Sequence, residues 1–298
     1  MIDRTPILDF FTHLILLFGL VCLLVPLWIV FVAASHDFHT VNQLPMPLWP
    51  GGHLFENLAT AWDKGNFDRV MLNSFIVAFG VTAGKIVLAA LSAFSIVYFN
   101  YRARMLVFWI IFITLMLPLE VRIVPTYAVA ADVLRPFRST LSFLGLEVGL
   151  PEWNLLNSYQ GLILPLVATA TGTFLYRQFF LTVPDELTEA AKMDGAGPMR
   201  FFLQILMPLS KTNMAALATI LFVWSWNQYL WPLPIITDHK NFATATMQLQ
   251  KIVPGPMFGE PPVWNIAMAA NLIVLAPPVI VTALLQRWFV RGLISTDK

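Results

Sequence analysis

A handful of polar and charged side chains stand inside otherwise apolar runs, and they are where any chemistry must sit. Lys85 lies near the middle of the run Val70 to Tyr98. A charge at mid-membrane costs about 2.5–3.5 kcal/mol on insertion scales, so it faces a protein interior or a wet cavity. Glu120 and Arg122 lie two residues apart near the outer end of the apolar segment that starts at Met105. Asn227, Gln228 and Tyr229 sit between Trp226 and Trp231. Cations of this kind can draw an anion along a path, and the amide and phenol groups can bond hydroxyls. Structural alternatives stand beside each: Lys85 pairing with a partner's carboxylate or snorkelling, Glu120 and Arg122 forming an ion pair or an outer gate. Asn227, Gln228 and Tyr229 could equally hydrogen-bond across helices.

Other chemistries fail on spacing. His13, His36, His39, His53 and His239 show no metal-ligand pattern, and no Ser/His/Asp set can be assigned. Gly80-Val-Thr-Ala-Gly-Lys-Ile86 is one residue short of a phosphate-binding P-loop and ends in Ile. It sits in an apolar helix, where Gly80 and Gly84 read as a small-residue packing face. Cys22 lies in an apolar run and reads as a small buried hydrophobe.

The elements that position these groups are membrane spans. Of 298 residues, 58% are hydrophobic and 12% charged, against roughly 25% charged in a soluble domain. A span takes about 20 apolar residues. Six stretches fit, at 14–34, 71–98, 105–125, 159–180, 212–235 and 265–287, so the expectation is an all-α integral membrane protein with one domain over 1–298. The first apolar run exceeds the 7–15 residues of a signal-peptide core, which favours an uncleaved anchor over a leader ending near Ala33-Ala34-Ser35. Basic residues are densest in segments holding Arg102 and Arg104, then Arg177, Lys192, Arg200 and Lys211, then Arg287, Arg291 and Lys298. With Arg4 they place the N- and C-termini in the cytoplasm. Trp49, Trp62, Trp153, Trp231 and Trp264 fall near outer ends, as interface anchors do. The outer loops 44–52 and 253–262 are rich in Pro and Gly, and 132–158 has room for a short surface helix. The net charge of +1 points to no nucleic-acid partner.

The loop 183–208 carries a sharper signal. Asp185 suits a helix N-cap, Glu186 suits the positive dipole end, and Glu186 to Met193 makes two turns. Gly195 ends them and Pro198 starts a second short helix. Ala190, Ala191 and Ala196 leave room for another protein surface. The stretch Glu189-Ala190-Ala191, Gly195, Ile205 and Pro208 resembles, at matching spacing, the cytoplasmic "EAA" loop of ATP-binding-cassette (ABC) importer permeases. Met207 departs mildly from the family's Leu. The resemblance implies a type I importer fold in which Glu189, Ala190, Ala191, Asp194, Gly195 and Pro208 couple to an ATPase. The elbow would dock in a groove of that ATPase, and closure of two ATPases around ATP would swing the spans.

The likeness extends along the chain to carbohydrate-uptake permeases of the maltose-transporter type. Within them it is nearest the permeases of sn-glycerol-3-phosphate importers. The residues that carry it include Met116-Leu-Pro-Leu-Glu-Val-Arg-Ile123, Phe174 to Phe180, Pro198 to Phe202, Pro208 to Asn213, Trp226 to Pro232 and Phe289 to Leu293. It implies a bacterial inner-membrane subunit, not itself an enzyme, working with a second permease, two ATP-binding cassette ATPases and an extracytoplasmic binding protein. ATP and Mg would be held by the ATPases, with no cofactor in this chain. The cargo implied is sn-glycerol-3-phosphate or a glycerophosphodiester, with a neutral sugar as the alternative. Lys85 or Arg122 would then meet phosphate on the translocation path. An ion-coupled transporter would show repeats and buried acids in broken helices; here Glu120 is the one near-membrane carboxylate. A membrane enzyme would need paired catalytic groups at one depth, which do not occur.

Overall fold

A computed structural model describes residues 6–114, 117–146, 149–253 and 262–294. Arg4, Met116, the proline-rich stretch 254–261 and Lys298 fall outside them. Among the described residues all regular structure is helical.

Three helices are long and apolar enough to cross a membrane: Ile7–Ser35, Phe67–Tyr98 and Trp264–Trp288. They match the first, second and sixth expected spans. The other three expected spans are interrupted. Residues 105–125 divide into Arg104–Ile113 and Leu119–Ala131. Residues 159–180 divide into Tyr159–Ile163, a tight turn at Leu164–Leu166, and Ala170–Phe180. Residues 212–235 divide into Lys211–Trp226 and Pro232–Ile235. Each new helix begins on a local device. Pro118, with ψ 156°, caps Leu119–Ala131. The Thr169 hydroxyl accepts from the Gly172 amide to start Ala170–Phe180. Proline fills the first position of Pro232–Ile235. A hydropathy window averages over such breaks, which is why the sequence reads them as continuous.

The chain divides into two compact units, Met1–Asp68 with Gln248–Ala276, and Arg69–Met247 with Pro277–Lys298. In the first, buried Asn57 donates to the Ala34 and His36 carbonyls at 2.8 and 2.7 Å. Asn265 donates to the Asn57 side-chain oxygen at 3.0 Å. The Pro6–Ser35 helix is otherwise mostly exposed apolar surface, as a lipid-facing helix is. Cys22 lies on that exposed face, not in a core as its apolar surroundings imply.

The second unit has two cores. One joins Val77 and Val81 to Leu162, Leu166, Trp231, Ile235 and Ile236. Trp231 is fully buried and its indole N–H donates to the Gly161 carbonyl at 3.2 Å. It is therefore a core residue and not an interface anchor, while Trp49 and Trp153 are exposed. Gly80 and Gly84 form the expected packing face: an added Cβ would stand 2.7 Å from Ile163 and 2.5 Å from Val167. Buried Asn73 ties this core to the stretch Asn241–Ala243. It donates to the carbonyls of Asn241 and Ala243, both at 2.9 Å, and accepts from the Tyr159 hydroxyl at 2.7 Å. The stretch 132–158 carries a short helix, Arg135–Phe143, as its room allows. The second core gathers Ala89, Ala90, Ala93 and Phe94 against Tyr176, Phe180, Phe201, Phe202, Leu206, Leu217 and Leu221.

Candidate functional site

Two of the breaks face one another across a cleft. Leu119–Ala131 restarts just before Glu120 and Arg122. Lys211–Trp226 ends at Asn227, and regular helix returns only at Pro232. Together Glu120, Arg122, Trp224, Asn227, Gln228, Tyr229 and Leu230 line a cleft of about 360 Å³. Ligand pockets span roughly 300–1,000 Å³, so this space is of binding size. Non-helical backbone at membrane depth is tolerated where protein or a wet cavity satisfies its polar groups. Five of the six residues read from sequence as path candidates thus meet at one place, although Glu120 and Asn227 are more than 100 positions apart.

The sixth, Lys85, stands behind the wall. It is 5% exposed, and its ammonium lies 3.4 Å from the centroid of the Trp224 ring. Arg122 is close enough for the two cations to repel. Among the described residues the one ion pair joins Arg138 to Asp132. Glu120 and Arg122 therefore share the cleft without forming the ion pair considered from their spacing, and Lys85 packs on an aromatic face. The Arg122 Nε is buried without an acceptor. The Gln228 side chain donates to the Trp224 carbonyl at 3.3 Å and closes the end of its own helix. The cross-chain bond at this position is a backbone one: the Gln228 carbonyl accepts from the Thr246 hydroxyl at 2.8 Å. Trp224 and Leu230 are cleft residues that spacing did not reveal. The signal for Trp224 was Lys85 itself, since a buried cation needs a partner and an aromatic face can serve.

The loop 183–208 holds the helix Asp185–Met193, a tight turn and a second short helix, Pro198–Phe201. Pro184 takes the cap position and makes no side-chain bond, so Asp185 is the first helical residue and not the N-cap. A proline before the helix leaves Asp185 at its first position, where it still favours the dipole together with Glu186. The helix Asp185–Met193 ends in a Schellman turn. Gly195 has φ +71°, its amide bonds the Lys192 carbonyl at 3.0 Å, and the Ala196 amide bonds the Ala191 carbonyl at 2.9 Å. Asp194 is the C-cap, its amide bonding the Ala190 carbonyl at 3.0 Å.

The alanines divide. Ala190 is exposed with Glu189, whereas Ala191 is turned into the second core and Ala196 packs against it. Phe201 and Phe202 anchor the following turn, with ring centroids 5.3 Å from Tyr98 and 4.9 Å from Phe94. A π-helical stretch, Phe202–Leu206, then leads to Met207–Leu209, where Pro208 is exposed. Buried Ser210 marks a 76° bend into Lys211–Trp226. One helix of 16 residues, about 24 Å at 1.5 Å per residue, thus runs from the elbow to the cleft.

Residues 85–295 match the family described as binding-protein-dependent transport system inner membrane component. The sn-glycerol-3-phosphate transport system permease proteins UgpE of Yersinia pestis bv. Antiqua (strain Antiqua) and Escherichia coli O157:H7 are each 48% identical over 304 aligned residues, covering 100% of both chains. A solved bacterial ABC transporter involved in the import of the acidic polysaccharide alginate superposes with a TM-score of 0.74. It covers 97% of this chain and 99% of its own at 18% identity, a likeness of fold. The chain belongs to the binding-protein-dependent transport system inner membrane component family, the all-α, multi-pass inner-membrane permeases of ABC importers.

Proposed function

We propose that this chain moves sn-glycerol-3-phosphate, or a glycerophosphodiester, across the inner membrane, and that the cleft at Arg122 and Asn227 lies on its path. The observation that carries the cargo reading is the 48% identity over the whole of both chains to permeases named for that solute. Two cations without an acidic partner among the described residues support it. Glu120, Asn227, Gln228 and Tyr229 add acceptors and donors suited to glycerol hydroxyls.

Driving force comes from outside the chain. The exposed elbow face at Glu189, Ala190, Asp194, Gly195 and Pro208 docks on a separate ATPase subunit, which holds ATP and Mg. The working importer comprises this permease, a second one, two ATPases and an extracytoplasmic binding protein. The chain crosses the membrane six times, three of the crossings through broken helices, with both termini in the cytoplasm. The elbow's Schellman turn and aromatic anchors suit a lever, because a capped helix clamped on a core passes on a displacement that a loose loop absorbs.

Reconstituted with its partners, the protein should accumulate labelled sn-glycerol-3-phosphate in proteoliposomes in an ATP-dependent, vanadate-sensitive way. Accumulation of a neutral sugar in place of the phosphate ester would sink the cargo reading. Uptake driven by an ion gradient without ATP would sink the importer mechanism.

A further inference from the structure

Among the described residues Lys85 is the one charged side chain that is buried, and it has a ring where a buried ammonium usually has a carboxylate. That ring belongs to Trp224, which also lines the cleft. Trp224 therefore touches the cation and the cargo space together. Arg122 lies nearby on the opposite broken helix, its Nε without an acceptor. A cation–π contact can hold a desolvated ammonium. Charge-assisted hydrogen bonds to phosphate are roughly twice as strong as neutral ones and leave no buried charge unmatched.

We propose that Trp224 is a shutter over Lys85: a phosphate group entering the cleft displaces the indole, and Lys85 and Arg122 then grip the phosphate from two sides. The inference rests on the phosphate-ester cargo proposed above. A neutral solute offers the ammonium nothing to replace the ring, so the lysine stays covered and the clamp does not form. Selection then follows charge, not shape. Glu120 orients the cargo, since its carboxylate repels the phosphate end and accepts from a hydroxyl. No covalent step is involved. The indole and the phosphate exchange places on one ammonium.

The test uses the complete importer in proteoliposomes, with sn-glycerol-3-phosphate as cargo and inorganic phosphate as competing probe. Trp224→Leu uncovers the lysine and should make uptake about tenfold more sensitive to inhibition by phosphate. Adding Lys85→Met should abolish that gain, and adding Lys85→Arg should keep it. Phosphate competing at the binding protein affects every variant alike and cancels. Should Trp224→Leu fail to assemble with its ATPase, fluorinated tryptophan at 224 weakens the ring face without changing its shape, and the same rise is expected. Unchanged phosphate sensitivity, or a gain that survives Lys85→Met, overturns the shutter alone. An unmodified importer that moves no sn-glycerol-3-phosphate overturns the cargo reading and the shutter with it.

Discussion

The elbow and the cleft are both places where a helix breaks, yet they break in opposite ways. At the elbow the backbone closes the break at the C-terminal end of Asp185–Met193 with its own amides. The Schellman turn satisfies the Ala191 and Lys192 carbonyls, and exposed Glu189 and Asp194 keep their charge in water. At the cleft the break leaves polar groups facing a shared space, with the Arg122 Nε unmatched and Lys85 resting on a ring. A self-sufficient break makes a rigid surface, suited to docking. An unsatisfied break makes a site, suited to binding.

That contrast can be broken in several ways. The largest effect is expected at Gly195. A Cβ there meets nothing within 4 Å inside this chain, so Gly195→Trp makes no clash and carries the backbone strain of φ +71°, about 1 kcal/mol. Its bulk would land on the proposed docking face, and both uptake and copurification of the ATPase should be lost. Normal uptake by this variant would show that the elbow does not dock there.

Arg122→Gln comes next. Loss of one charge-assisted contact, about 1.5–3 kcal/mol, should lower uptake about tenfold or more. The ATPase should still copurify, because the cleft lies apart from the proposed docking face. A parallel fall in copurification would merge the two regions that the comparison separates.

Smaller effects sharpen the elbow itself. Gly195→Ala forces a side chain to φ +71°, a strain of about 1 kcal/mol. Amide protection in Asp185–Met193 should fall about fivefold. Gly197, at φ −69°, has equal open space, so Gly197→Ala should change protection little. Equal losses at both would mean that backbone strain is not what the turn depends on.

The smallest effect is expected at Asp238, the N-cap of His239–Phe242. Hydrogen bonding from the Asn241 side chain holds its carboxyl below the usual carboxylate range, against opposing desolvation and with help from the Asn241 and Lys240 amides and from Arg69. With its folded pKa lowered, Asp238 contributes its cap fully above the usual value of 3.8 and loses it as pH falls through the folded value. Protection of His239–Phe242 amides, corrected for intrinsic exchange, should therefore drop under acid conditions while Asp185–Met193 is less affected. Equal protection of His239–Phe242 at neutral and acid pH would remove the cap from the account.

Sequence alone determined the elements that depend on local order. Apolar run length marked the membrane helices, because lipid solvates one continuous stretch at a time. Gly195 and Pro198 marked the elbow, because a left-handed glycine and a helix-starting proline act within a few residues, and the spacing from Glu189 to Pro208 added the family resemblance. Lys85, Glu120, Arg122, Asn227, Gln228 and Tyr229 were visible because polarity is conspicuous in apolar surroundings. Tertiary structure decided the rest. Only packing showed that Trp231 is core, that Ala191 faces inward, and that three apolar stretches are broken helices. Only packing placed Arg122 opposite Asn227 and laid Trp224 over Lys85. A side chain's partner across the fold depends on contacts between distant segments, and no local pattern encodes which of them will meet.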